Sequence, residues 1–170
     1  MNALSTAYER CPFLAEAAAP VREPRLDPMS PGPCWPTADT ASRRLAMVRV
    51  YQRTGGLARG DEVLFLMRRH TSQALSRLAR WIVEQRVVSF DCQGQRMLPM
   101  FQFDVADMSI HPGAAAVLEE LSGTFDDWEL AVWFAESNSW LQGRIPVDAL
   151  GVDPGAVLDA ARADRFVARG

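Results

Sequence analysis

Apolar side chains recur at helical spacing in three short runs between residues 41 and 86. In the first, 41–54, Leu45, Val48 and Tyr51 stand three apart with Arg43, Arg44 and Arg53 on the polar sides, and Gly55-Gly56 stops the helix. A second helix follows over 61–69, capped by Asp61, with Val63, Leu64, Leu66 and Met67 as its apolar surface. The third spans 73–86, capped by Thr71 or Ser72. Its Leu75, Leu78, Ala79 and Ile82 follow the i, i+3, i+4, i+7 spacing of a core face, and Gln73, Ser76, Arg77, Arg80 and Glu84 line the other side.

From 87 to 103 the period falls to two. Val88, Phe90 and Cys92 point one way, Gln93-Gly94 offers a turn, and Met97, Phe101 and Phe103 line the returning strand, where Pro99 argues for a sheet edge. Helical spacing then resumes over 108–122, with Val117, Leu118 and Leu121 inward and Pro112 near the start. Asp126 and Glu129 form a capping box, so a helix begins at about Asp127. On it Trp128, Ala131, Val132 and Ala135 share a face, with Leu130 and Phe134 on its flank and Trp133 at its border. Asn138-Ser139 ends this helix, Gly143 permits a turn, and Pro146 opens a short helix closed by Gly151. Asp153-Pro154 starts a last helix to about Arg165, which leaves Phe166 and Val167 as an apolar tail.

These elements predict a mainly α chain with one β-hairpin: a helix-turn-helix domain, plain or winged, joined to a small helical domain. Residues 1–40 hold seven of the eleven prolines and read as a flexible segment, which Trp35 could tack onto the body and in which Tyr8, Phe13 and Leu14 could dock. The hairpin-bearing unit covers 41–107 and the helical unit 108–170. With 170 residues, 48% of them apolar, the chain can form one ordinary domain or two small ones sharing a core. No apolar run is long enough to span a bilayer and no secretory signal opens the sequence, which points to the cytoplasm. Cys11, Cys34 and Cys92 are odd in number and widely spaced, the pattern of reduced thiols with a structural role.

Charge sharpens the division. Every basic side chain is arginine apart from two histidines; residues 41–100 carry eleven arginines against four acids, and residues 101–170 carry four against twelve. A basic middle suits a polyanion, and an acidic end suits a different partner. Two short helices separated by a tight turn at His70-Thr71 are what a helix-turn-helix reader needs. Arg77 and Arg80 can bond guanine in two places and Gln73 can do the same for adenine, with Ser76 between them. In a winged variant Arg96 lies near the wing tip; in the alternative the hairpin clamps the two halves together. The plainer reading of the arginine face is a solvated surface on which Glu84 pairs with Arg80.

Catalytic groups are scarce. His70 and His111 have neither a nucleophile signature nor metal-ligand spacing around them, and the acidic neighbours Asp126-Asp127 and Glu119-Glu120 point in different directions along a helix. The expectation is a protein that is not an enzyme and holds no metal or cofactor.

The order Trp128, Ala131, Trp133, Phe134, Asn138, then Leu141-x-Gly143-x-x-Pro146 and an amphipathic segment ending in Gly170, resembles the toxin-binding domain of the Xre/MbcA/ParS antitoxins. Ser137 stands where that pattern often has proline. The resemblance covers about 112–170 and implies that this end grips a cognate toxin, commonly a RES-type enzyme that consumes NAD or modifies proteins with it. It implies toxin contact by Trp133, Asn138, Trp140, Arg144, Arg165, Arg169 and Gly170, the C-terminal end lying over the toxin's active site. The residues alone leave open whether Trp133 and Trp140 face a partner or the core, and assign Trp128 to the core.

The resulting expectation is a dimeric antitoxin that binds operator DNA through its basic middle and neutralises a toxin through its acidic end. The alternative is a protein-interaction adaptor or regulator with no role at DNA.

Overall fold

Gly55 and Gly56 adopt φ of +100° and +86°, a region that side chains with a Cβ avoid, and they turn the chain out of its first helix. In the computed structural model, which describes residues 38–92 and 94–170, this helix is α1, Ala38–Gln52. It begins three residues inside the segment expected to be flexible. The rest of that segment, with Tyr8, Cys11, Phe13, Leu14, Cys34 and Trp35, lies outside the described residues, as does Gln93.

Strand β1, Leu57–Arg59, follows and leads directly into α2, Gly60–Met67. The cap is Arg59 rather than Asp61: its N–H donates to the Glu62 carboxylate at 2.9 Å, and Asp61 sits within the first turn. Next come α3, Ala74–Val83, then β2, Phe90–Cys92, and β3, Gln95–Pro99. The strands form an antiparallel sheet in the order β1-β3-β2, with Leu57 opposite Pro99 and Phe90 opposite Met97. Pro99 therefore closes the central strand instead of marking an edge. The ladder bond beyond it is donated by Met100 N–H to the Gly56 carbonyl at 2.9 Å, so the N–H that proline lacks is not needed for the β1 pairing.

Beyond the sheet, a short 3-10 turn, Met100–Gln102, replaces the end of the expected returning strand, and a bridge between Phe103 and Ile110 lies where the fourth sequence helix was expected to start. Met108 is buried at φ +58°, and α4 begins only at Pro112, running to Leu121. Helix α5, Asp127–Ala135, starts at the capping box: Glu129 N–H donates to Asp126 at 2.7 Å and Asp126 N–H to Glu129 at 2.8 Å. Helices α6, Pro146–Leu150, and α7, Pro154–Arg169, complete the chain. Phe166 and Val167 thus lie in α7 and not in a tail. Helices α4 and α7 pack along much of their length, and Gly113 allows their first turns to meet: a Cβ there would sit 3.3 Å from Pro154 Cβ.

The protein is mainly helical with a small three-stranded sheet, and apolar side chains cover both faces of that sheet. Phe90 and Met97 join Tyr51 and the helices α4 to α7 in one core; Ala58 and Leu98 join α2, α3, Met100 and Phe103 in the other. Buried polar groups tie the layers. Tyr51 Oη donates to the Ala131 carbonyl at 2.6 Å, and burial pushes its pKa upward. Gln102, fully buried, accepts from Val88 N–H at 2.6 Å and donates to the carbonyls of Val88 and Pro99, each at 2.9 Å. Its amide does for this irregular stretch what a neighbouring strand would do.

Candidate binding surfaces

Helix α3 buries Ala74, Leu78 and Trp81, an i, i+4, i+7 set rotated from the one its sequence suggested. Trp81 sets the phase by burying the largest side chain of the helix against Phe103, ring centroids 6.3 Å apart. Leu75 and Ala79, expected in the core, are exposed, and Ile82 is half-buried. Gln73, Ser76, Arg77 and Arg80 are all exposed on this helix or at its N-cap. The Arg77 guanidinium lies 5.3 Å from the Trp81 ring, which fixes its root without neutralising its charge. No ion pair joins Glu84 to Arg80 among the described residues. Exposed Arg68, Arg69 and Arg86 extend the basic surface at either end of α3. Nearby Asp107 is held below the usual carboxylate range, chiefly by hydrogen bonds from Ser109, with smaller help from the fields of His70 and Arg77.

Arg96 lies near the tip of the β2–β3 hairpin, where its place in the sequence put it. It lies in β3 opposite Asp91, and its guanidinium reaches Asp127 at the start of α5 at 2.9 Å and Ser89 Oγ at 3.4 Å. A second link runs beside it. Gln85, at φ +50° just past α3, donates to the Phe125 carbonyl and to Asp127, and accepts from Gly123 N–H. The hairpin is held to the helical end by these groups.

At that helical end, one carboxylate gathers three of the residues singled out by sequence. Asp164 on α7 accepts from Trp133 Nε1 at 2.8 Å and Asn138 Nδ2 at 2.6 Å on one oxygen, and from Trp140 Nε1 at 2.8 Å on the other. Asn138 also caps the 3-10 turn Ser139–Leu141 through its Oδ1, which accepts from Trp140 N–H at 2.9 Å. Its backbone carbonyl accepts from Leu141 and from Gly143, whose φ of +81° explains the glycine. Trp133 is half-buried with its ring edge-on to Phe134, whereas Trp140 remains 57% exposed. Trp128 is half-buried between Phe90, at 5.7 Å, and the Arg44 guanidinium, at 5.2 Å.

The remaining arginines of this end are engaged within the chain. Arg165 pairs with Glu120 at 2.7 Å, Arg169 Nε donates to Thr124 Oγ1 at 3.2 Å, and Arg144 Nε to the Leu141 carbonyl at 3.2 Å. Gly170, Phe166 and Val167 are exposed. Sequence reasoning missed Asp164 altogether. Its only sequence signal is an acid on the inward side of an amphipathic helix, where Ala160 and Ala161 are buried.

Groups suited to covalent chemistry stay scattered: His70 is exposed, and His111 caps α4 with its Nδ1 buried and without a hydrogen-bond partner. Among the described residues no group of three or more His, Cys, Asp or Glu is arranged to hold a metal ion, and no helix is long and apolar enough to cross a membrane. A cleft of about 350 Å³ opens between the end of α3 and α4, lined by Glu84, Gln85, Arg86, Ala115, Glu119 and Ser122. Compared with known proteins, the chain matches no family model, no curated protein and no solved structure.

Proposed function

We propose that this protein is an antitoxin that binds operator DNA through α3 and neutralises a toxin of the RES type through the surface formed by α7 and the 138–144 turn. The observation that carries the DNA half is the free arginine face of α3 in its topological setting. The order helix, strand, helix, helix, strand, strand, with the sheet arranged β1-β3-β2, is compatible with a winged helix-turn-helix and supports reading α3 as the helix that enters the groove. The toxin half rests on the exposed Trp140, Phe166 and Val167 at an acidic end, together with the resemblance in the sequence. The protein acts as a dimer, since paired half-sites call for paired readers.

A pull-down of the tagged protein from its own host at low and moderate salt tests both halves at once. Recovery of promoter DNA that is lost steeply as salt rises, together with a small NAD-consuming neighbour, supports the proposal. Recovery of protein partners without DNA replaces it with the adaptor reading, in which the tie from Arg96 to Asp127 makes the hairpin a clamp between halves.

A further inference from the structure

The structure divides α3 into three stripes rather than two. Ala74, Leu78 and Trp81 face the core, and Gln73, Arg77 and Arg80 form a polar stripe. Leu75, Ala79 and Val83 recur at i, i+4 and i+8 and form a third that is apolar and exposed: Leu75 is 63% and Val83 82% accessible. At about 100° per residue the outward direction of the helix falls between the apolar and polar stripes, so an object laid against it meets both. A surface helix has no need of three aligned apolar residues in water.

We infer that the Leu75, Ala79 and Val83 stripe reads thymine methyl groups in the major groove, next to purines contacted by the arginine stripe. This rests on the DNA-reading proposal above and specifies the sequence class of the site: thymines adjoining guanines or adenines. The thymine C5-methyl is the apolar mark that the major groove offers, and small apolar side chains are its counterpart. A second copy of the chain is the other occupant to weigh, and two observations disfavour it. The stripe comprises three residues, one of them alanine, against the roughly 800 Å² per partner of a stable interface. Around a two-fold axis that sets two copies of α3 antiparallel, Arg77 and Arg80 would also meet their own copies, whereas a phosphate backbone complements them.

The test selects duplexes from a random-sequence pool with the full chain, then resynthesises the selected duplex with deoxyuridine in place of thymidine, one position at a time. Uracil keeps the hydrogen-bonding pattern and removes only the methyl. Affinity should fall about fourfold at one or two positions per half-site, the effect of one lost buried methyl. In the Leu75→Ser/Val83→Ser variant, whose changes are at exposed positions, the same replacement should have no effect. If duplexes are selected but are indifferent to uracil, the inference is overturned while the DNA-reading proposal stands. If no duplex is enriched, both fall. If the variant sediments as a smaller species than the wild-type chain with its thymine-to-uracil ratio unchanged, the stripe belongs to self-association.

Discussion

On α3, Arg77 and Arg80 extend into solvent with no carboxylate at ion-pair distance among the described residues, whereas on α7 Arg162 and Arg165 share Glu120 and Arg162 also reaches Asp159 at 3.0 Å. Both helices are amphipathic and rich in arginine, yet the same residue type does different work on each. Unpaired guanidiniums keep their full field and their counterions, which is what binding to a polyanion draws on. Paired ones secure the last helix to α4, and any partner that recruits them must first break those pairs. What stays exposed at the acidic end is apolar: Phe166, Val167 and the ring face of Trp140, whose indole N–H is held by Asp164.

The largest expected effect lies on the committed side. Asp164→Ala strips the acceptor from Trp133, Asn138 and Trp140 and should cost about 3 kcal/mol in urea unfolding, because donors are left without partners. A loss below about 1 kcal/mol would mean that the three donors find water instead, and that this carboxylate does not organise the end. On the uncommitted side, Arg77→Ala/Arg80→Ala should lower affinity for a selected duplex by about 100-fold and relax its preference at the guanines those side chains face. Stability should stay within about 0.5 kcal/mol of wild type; a large drop would show these arginines to be structural after all.

Tyr51 belongs to neither helix: it is buried on α1 and bonds to Ala131 of α5. Its folded pKa is raised, so the unfolded chain deprotonates first, and the contribution is complete below the unfolded value of about 10 and lost as pH rises beyond it. Stability should therefore decline above pH ~10 by up to about 1.4 kcal/mol per pH unit from this group. Tyr51→Phe should remove that slope and cost about 1 kcal/mol at neutral pH. The smallest effect is reserved for Arg165→Ala, at about 0.5 kcal/mol, since its pair with Glu120 is partly solvated. Should it instead abolish toxin capture at unchanged stability, the contrast between free and committed arginines would break.

Much of the secondary structure was legible because it depends on neighbours in sequence. The Asp126 and Glu129 capping box, the Gly55-Gly56 stop and the proline starts at Pro146 and Pro154 all act within four residues. Strand β1 was not legible: three residues are too few for an alternation to register. The phase of α3 turned on the bulk of Trp81 meeting Phe103, which lies 22 positions away and whose approach no local period reveals. Of the candidate surfaces, the polar stripe of α3 could be read from spacing. The convergence on Asp164 could not, because its donors lie 24 to 31 residues away and meet it only when α7 folds back.

The doubly covered sheet has a consequence for how this chain comes apart. Removing everything after residue 107 would leave Tyr51, Phe90 and Met97 facing water, and removing everything before it would strip the helices α4 to α7 of the apolar floor on which α5 rests. Neither half should then fold by itself. Heating should accordingly produce a single calorimetric transition, with the signals of Trp81 and Trp133 lost together although they belong to different cores. A lesion that loosens the end bearing α3 then also lowers the lifetime of the end built around Asp164 in the cell. The two surfaces rise and fall as one quantity, the fraction of chains that are folded.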